Sequence, residues 1–259
     1  MTPLAALILG IVQGLTEFLP VSSSAHLALI HWAFGWTSTP AEDLMFDVAV
    51  HFGTLVAILA YFGRDWVSFL RRRDRMVAYV VVGCLPGALA GAVLEDKAAT
   101  IFRYPLQIAV LLAAMGLVLA AAERWGRRER PLEQMGWADT LWVGVLQALA
   151  IMPGVSRAGI TMTTGLFRGL TREAAARFSF LLGAPIILGA AIYEMPDALR
   201  SGLTAADLLP FGVGIAASAV VGYLCIGFLM SYLRTRSTGL FVGYRLVFGT
   251  GIILLSLLR

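Results

Sequence analysis

Charged residues are scarce in this chain of 259 residues: aspartate, glutamate, lysine and arginine make up 14% of it, and 59% is hydrophobic. A soluble domain is typically about a quarter charged. Together with a mean hydropathy of +0.81, this composition excludes an ordinary soluble domain. It predicts an all-α polytopic membrane protein, because helices satisfy their own backbone hydrogen bonds inside a bilayer.

Cysteine is scarce as well. Cys84 and Cys225 lie in separate apolar stretches without a C-x-x-C or metal-ligand spacing, so we expect both to be small core residues. The first residues lack the basic region and cleavage site of a signal peptide, and we expect them to belong to the mature chain. The net charge of +4 comes from arginines clustered between apolar stretches, which is typical of topology signals. We therefore expect no nucleic-acid partner.

Six apolar stretches are long enough to cross a bilayer, which takes about 20 residues. They are residues 44–63, 76–94, 105–122, 174–195, 208–232 and 238–258. Two further pairs are too short to cross and are interrupted by proline: 3–19 with 23–36, and 137–152 with 157–167. Irregular backbone at membrane depth requires cover by protein or a water-filled cavity. The pattern predicts six transmembrane helices plus two re-entrant helical hairpins.

The arginines predict the orientation. Loops 64–75 and 124–130 hold nine of them, and alternation of the spans adds five more from 168–177 and 234–236 to the same side. The opposite loops hold only Lys97, Arg103 and Arg200. Because cytoplasmic loops are enriched in basic residues, we expect the first hairpin to enter from outside and the second from the cytoplasm.

An internal repeat supports this layout. Residues 10–15 resemble 144–149, each followed by proline and then Val-Ser, and residues 51–61 resemble 180–189. With three spans in each half, copies at about 1–122 and 137–259 have opposite topology within one membrane domain, 1–259. An inverted-topology repeat with broken helices is a plan found in transporters.

Two polar motifs interrupt the hairpins. In the first, Ser22 or Ser23 after Pro20 can cap a half-helix, and a helix N-terminus binds anions. In the second, Ser156 can cap and Arg157 follows at once. An arginine deep in an apolar stretch needs an anion, and its planar fork suits phosphate. We predict that the motifs meet in one site for a diphosphate.

The remaining polar residues suggest roles in that site. Gln13 and Glu17 share a helical face and can hold a hard divalent cation, Mg²⁺ or Ca²⁺. His26 can reach over the helix start as an acid or base. The nucleophile is Ser22, Ser23, His26 or an activated water, and we favour a serine assisted by His26. Phosphate binding is assigned to Ser23, Ser156, Arg157 and Thr161, with helix packing as an equal alternative for Thr161.

Structural roles compete with these assignments. Glu17 and Arg157 can form a purely structural ion pair, and His26 can be a core histidine. Asp47 and His51 share a helical face and can line the cavity, although packing or pairing is favoured for them. Arg245, inside the last span, needs a partner or reaches the interface.

The motif Gln13 to His26 and the motif Pro153-Gly-Val-Ser-Arg-Ala-Gly-Ile-Thr161 resemble the signatures of the bacterial undecaprenyl-diphosphate phosphatase (bacitracin-resistance) family. The resemblance covers the whole chain and implies dephosphorylation of undecaprenyl diphosphate with a divalent cation, which recycles the cell-wall lipid carrier. The implied functional positions are Gln13, Glu17, Ser22, Ser23, His26, Ser156, Arg157 and Thr161. Ala25 and Ala158 stand where the family commonly has glycine and serine.

Location and partners follow from the same resemblance. We expect a multi-pass protein of the bacterial inner membrane whose cavity opens to the periplasmic side. Its partners are then a polyprenyl diphosphate lipid and membrane lipids, with a homodimer as the assembly to consider. The alternative function is an inverted-repeat transporter or flippase of polyprenyl phosphate.

Overall fold

The computed structural model of the chain describes residues 1–34, 40–102, 104–200 and 205–258, with the backbone alone at 40–44, 95–100, 195 and 197–200. Ten α-helices form this described part, which contains no β-strand. In chain order they are α1 (Pro3–Phe18), α2 (Ser23–Phe34), α3 (Pro40–Arg72), α4 (Arg75–Ile101), α5 (Pro105–Trp125), α6 (Trp137–Gln147), α7 (Arg157–Phe167), α8 (Arg172–Arg200), α9 (Leu208–Thr235) and α10 (Gly239–Leu258). A 3₁₀ turn, Ala148–Ile151, extends α6.

Six of these helices are long and apolar enough to cross a membrane, as predicted. They are α3, α4, α5, α8, α9 and α10. The largest difference from the predicted bounds is in α3, which continues past residue 63 to Arg72. Hydropathy falls at the first arginine, but helical hydrogen bonding continues there, and Asp65 pairs with Arg177 of α8 at 2.7 Å.

The shorter helices α1 and α6 lie along long ones, α1 against α9 and α6 against α4. Glycine makes both contacts close. A Cβ on Gly10 would lie 2.6 Å from the Gly214 carbonyl oxygen, and a Cβ on Gly144 would lie 2.6 Å from the Gly83 carbonyl oxygen. Only a residue without a side chain allows these backbones to approach so far.

The arginine-rich helix ends lie together on one face of the molecule. Three ion pairs join them: Arg177 with Asp65, Arg172 with Glu123, and Arg234 with Glu173. The prediction that these loops share a side is therefore confirmed. The basic residues predicted for the opposite side, Lys97, Arg103 and Arg200, lie outside the described side chains.

Asp139, at the start of α6, is buried on this same face. It accepts hydrogen bonds from Arg130 Nη2 at 2.7 Å and from Arg168 Nε at 2.8 Å. Burial acts to raise the pKa of Asp139, but these hydrogen bonds outweigh it and hold the pKa below its ordinary value. Because Arg168 directly follows α7, the network joins the end of α7 to the start of α6.

The main apolar core packs against the short helices, including the end of α1. Phe18, the last residue of α1, meets Phe180 edge to face with ring centroids 5.5 Å apart. Cys84 and Cys225 are buried in the same core, as predicted. The core thus fixes the end of α1, next to Glu17.

Candidate active site

The turn between α1 and α2 and the turn before α7 contact each other. Ser22 and Ser156, the last residues of the two turns, have φ angles of 74° and 73°, in the left-handed region that residues other than glycine seldom adopt. The Gly154 N–H of the second turn donates to Ser22 Oγ at 3.1 Å. The structure therefore brings the two motifs together, with similar backbone geometry at both serines.

Arg245 of α10 contacts both turns and joins them. Its guanidinium, fully buried, donates to the carbonyls of Pro20 at 2.9 Å, Gly154 at 2.7 Å and Val155 at 3.2 Å. Its Nε donates to the Leu112 carbonyl at 2.9 Å. The sequence indicates that this arginine needs a partner, and the structure shows that its partners are backbone carbonyls. A buried cation is tolerated because each of its nitrogens has a hydrogen-bond acceptor.

Glu17 is the centre of the polar cluster. One carboxylate oxygen, Oε1, accepts from Arg157 Nη2 at 2.7 Å. The other, Oε2, accepts from Ser23 Oγ at 2.6 Å and from Gln13 Nε2 at 3.2 Å. The Ser23 hydroxyl proton is directed at a carboxylate, which is the geometry required for general-base activation of a nucleophile.

A polar cavity of about 360 Å³ opens beside this cluster, within the usual range of ligand sites, roughly 300–1,000 Å³. Its wall includes Glu17, the starts of α2 and α7, and parts of α3 and α8. The polar residues that line it are Glu17, Ser22, Ser23, Ser24, Asp47, His51, Ser156, Arg157 and Glu194. Two helix N-termini therefore border the cavity, and each offers backbone N–H groups to an anion.

His51 of α3 also faces the cavity. Its Nδ1 lies 2.7 Å from the Asp47 carbonyl, which can only accept, so Nδ1 carries a proton. Its Nε2 lies 3.7 Å from Glu17 Oε2. The sequence favours packing or pairing for Asp47 and His51, with cavity lining as the alternative; the structure places both on the cavity wall and also pairs His51 with Glu17.

Contacts behind the cavity position Arg157. Its Nη1 donates to the Ser179 carbonyl at 2.9 Å, and Thr161 Oγ1 is hydrogen-bonded to Ser179 Oγ at 2.7 Å. Gly183 leaves room for the guanidinium, because a Cβ there would overlap it. Thr161 thus lies behind Arg157, outside the residues that line the cavity, and its phosphate contact stays a prediction.

His26 lies on the other side of α2. Its Nδ1 donates to the Ser22 carbonyl at 2.7 Å, and its Nε2 lies 2.6 Å from the Tyr244 hydroxyl. The ring is stacked on Phe248, with centroids 4.9 Å apart, and lies nearly parallel to Tyr244, whose centroid is 5.6 Å away. It is not part of the cavity wall, and its catalytic role stays a prediction.

Comparison with known proteins agrees with the resemblance seen in the motifs. The sequence profile of the bacitracin resistance protein BacA family matches residues 6–251. The chain belongs to this family. It is 48% identical over 267 aligned residues to the undecaprenyl-diphosphatase of Pelotomaculum thermopropionicum, covering 100% of this chain and 98% of the relative. The undecaprenyl-diphosphatases of Moorella thermoacetica and Desulforudis audaxviator are also 48% identical, with both chains fully covered.

A divalent cation is expected for a BacA family member, and the side chains near Glu17 show which ligands it would find. Among the described residues, no three His, Cys, Asp or Glu side chains come together as a metal site. However, Gln13 Oε1 is buried and has no hydrogen-bond partner in the described part, and it lies on the side chain that contacts Glu17. A carboxylate and an amide oxygen suit a hard cation that takes its other ligands from water and phosphate.

Several residues of this BacA family member were not identified from the sequence as part of the site. Ser179 and Gly183 hold and accommodate Arg157. Gly183 lies in the repeated segment 180–189, but nothing in the sequence marks either residue as part of the site, because a serine and a glycine in an apolar helix are ordinary. Tyr244 contacts His26 from a distant helix. Arg245 had a signal, a charge inside an apolar span, but its partners required the tertiary structure.

Proposed function

We propose that this chain is an integral membrane phosphatase that hydrolyses undecaprenyl diphosphate to undecaprenyl phosphate and inorganic phosphate. The observation that carries the proposal is the contact of Arg157 with Glu17 at 2.7 Å, between two helix N-termini on one polar cavity. A guanidinium and two N-termini suit a diphosphate, and the relatives named above are undecaprenyl-diphosphatases. The product would serve as lipid carrier in cell-wall synthesis, with a role in bacitracin resistance.

Substrate binding replaces the ion pair between Glu17 and Arg157 in this proposal. Without substrate, the buried carboxylate and guanidinium satisfy each other. A diphosphate supplies the negative charge that replaces the carboxylate at Arg157. The guanidinium then binds phosphate oxygens bidentately, while its Nη1 keeps the hydrogen bond to the Ser179 carbonyl. The same guanidinium then stabilises charge that develops on the transferred phosphoryl group.

Ser23 is the proposed nucleophile. Its Oγ attacks the terminal phosphorus while its proton passes to Glu17 Oε2, 2.6 Å away. The bond from that phosphorus to the bridging oxygen breaks, and undecaprenyl phosphate leaves. Water then hydrolyses the phosphoserine, which releases inorganic phosphate and restores the hydroxyl. Ser22 holds the turns together by accepting from Gly154.

Gln13 and Glu17 are the proposed ligands of Mg²⁺ or Ca²⁺. The support is the side chain of Gln13, which contacts the carboxylate through Nε2 and has a buried Oε1 without a hydrogen-bond partner in the described part. Such a cation, when bound, would neutralise phosphate charge. His26 holds the start of α2 through the Ser22 carbonyl. His51 is the imidazole placed to exchange a proton with a group bound in the cavity.

The pairs α1–α2 and α6–α7 are proposed to be re-entrant hairpins in two inverted repeats. Support comes from Arg168 and Asp139, whose contact at 2.8 Å returns the end of α7 to the start of α6. The repeated packing also supports the proposal, since Gly10 and Gly144, equivalent in the two sequence copies, approach long helices at the same distance. A homodimer stays a prediction.

The cavity is proposed to open to the periplasmic side of the inner membrane. Its wall uses Asp47 and His51 of α3 and Glu194 of α8, whereas the arginine-rich ends of α3 and α8 meet at Asp65 and Arg177. At 1.5 Å per residue, His51 lies roughly 20 Å along α3 from that face. If the arginines mark the cytoplasm, the cavity lies toward the opposite side.

Phosphate release by purified Arg157→Ala and Glu17→Gln protein tests the function. We expect kcat/KM with undecaprenyl diphosphate to fall about 100- to 1,000-fold in each, the usual effect of removing one group that stabilises a transition state. The matched controls are Arg71→Ala and Glu129→Gln, at exposed positions far from the cavity, which should retain wild-type rates.

Near-normal rates in both site variants would contradict the proposal. The assay in detergent also separates the two candidate functions, because a transporter requires two compartments and an enzyme does not. A wild-type protein that moves polyprenyl phosphate across vesicles but releases no phosphate in detergent would favour the transporter.

A further inference from the structure

A second cavity, of about 460 Å³, lies next to the polar one. It is a groove between α4, α8 and the 3₁₀ turn Ala148–Ile151. Small apolar residues form most of its wall: Gly87, Ala88, Gly91 and Ala92 of α4 face Pro185 and Gly189 of α8. The groove is comparable in volume to the polar cavity but differs from it in chemistry.

The groove is continuous with the polar cavity. Arg157, Ala150, Ile186 and Ala190 line both of them. An extended ligand whose charged end contacts the Arg157 guanidinium can therefore continue into the groove without crossing the helices. Apart from Arg157, the wall includes the amide side chain of Gln147, which donates to the Gly83 carbonyl at 3.4 Å.

The far side of the groove opens on surfaces that a bilayer would cover. Ala88 and Ala92 of α4 are exposed, as are Gly189 and Tyr193 of α8, and all four line the groove. They belong to two of the helices apolar enough to cross a membrane. The groove thus leads from the polar cavity to a surface that lipid would cover.

We propose that this groove binds the first isoprene units of the substrate's polyprenyl chain, an inference that rests on the function proposed above. The occupant follows from position and chemistry. A lipid diphosphate with its charged end at Arg157 needs an apolar path for the attached chain, and the groove provides that path. Small side chains leave room for the methyl branches of an isoprenoid, and the open end lets the rest of the chain remain in the bilayer.

Two glycines allow the groove to be filled without disturbing the backbone. A Cβ added at Gly91 or at Gly189 would meet no atom within 4 Å, so a leucine there would project into the free space. Gly243 of α10 is the matched control. It is exposed, a Cβ on it also meets no atom within 4 Å, and it lines neither cavity.

The experiment measures phosphate release by Gly91→Leu, Gly189→Leu and Gly243→Leu protein, each first shown to be monodisperse and to melt like wild type in detergent. The substrates are undecaprenyl diphosphate and methyl diphosphate, which has the same charged end and no isoprene unit. With the long substrate, we expect kcat/KM to fall about tenfold or more in the groove variants, mainly through KM, which corresponds to lost burial of about two methylene groups. With the short substrate, the groove variants should match Gly243→Leu.

Groove variants that behave like Gly243→Leu on both substrates would overturn the proposal, and the apolar groove would then hold ordinary bilayer lipid. An equal loss on both substrates would overturn it too, because the leucines would then act through Arg157. Failure of the proposed function is distinguishable, since wild-type protein would release no phosphate from either diphosphate.

Discussion

Replacing Arg245 by methionine tests whether one buried side chain holds the two turns of the site in register. Methionine retains much of the apolar stem and removes every donor. In the native chain those donors serve the carbonyls of Pro20, Gly154, Val155 and Leu112. No carboxylate takes part in these bonds, so the perturbation leaves no unpaired opposite charge behind.

The magnitude follows from two opposing effects. Each hydrogen bond from a charged donor contributes about 1.5–3 kcal/mol, and each buried carbonyl left unpaired costs about 1–3 kcal/mol. Removing the charge recovers its desolvation penalty, which is several kcal/mol for a buried ion. The net loss of stability is then on the order of 3 kcal/mol, because the lost hydrogen bonds outweigh the recovered desolvation penalty, and the melting temperature should fall by roughly 10 °C.

Thermal melting in detergent measures this loss, and phosphate release per folded molecule measures its effect on the site. We expect Arg245→Met to lose activity even where it remains folded, because Pro20 and Gly154 precede the residues that line the cavity. Arg245→Lys should be intermediate, since an ammonium has three donors without the planar fork. The control is Arg236→Met, at an exposed position. Wild-type melting and wild-type kcat/KM in Arg245→Met would refute the reasoning.

Two further variants address single contacts. Gly183→Ala should lower kcat/KM with little change in melting temperature, because its Cβ would displace the Arg157 guanidinium rather than backbone; equal loss of both would show a packing role instead. Asp139→Asn should destabilise the protein by about 1–3 kcal/mol by weakening its bonds to Arg130 and Arg168. Since the folded pKa of Asp139 is lowered, its contribution is complete above the unfolded pKa, near 4, and is lost as pH falls through the folded value. Melting curves should therefore show wild type and Asp139→Asn converging below about pH 4, and a constant difference would contradict this.

The membrane class and the helix count were predictable from sequence because they depend on local composition. A run of about 20 apolar residues has few alternatives to a spanning helix, so all six spans were found with bounds close to those observed. The shared side of the arginine loops was predictable for the same reason. The end of α3 was not, because its last turns are polar and are held by Arg177 from another helix.

The candidate site divides in the same way. Glu17, Ser23 and Arg157 were recognisable because a charge or hydroxyl cluster in an apolar stretch is costly and needs a purpose, and the two motifs together resembled one family. That these residues meet was a hypothesis from the sequence, and the structure shows that Glu17 contacts both Ser23 and Arg157.

Only the tertiary structure decided which polar residues share the cavity. The sequence favoured His26 over His51 as a site residue, yet His26 faces Tyr244 and His51 faces Glu17. The direction of a side chain depends on which helices pack against its own. The apolar groove is a tertiary feature for the same reason, since glycines and alanines become a binding surface only when α4 and α8 leave space between them.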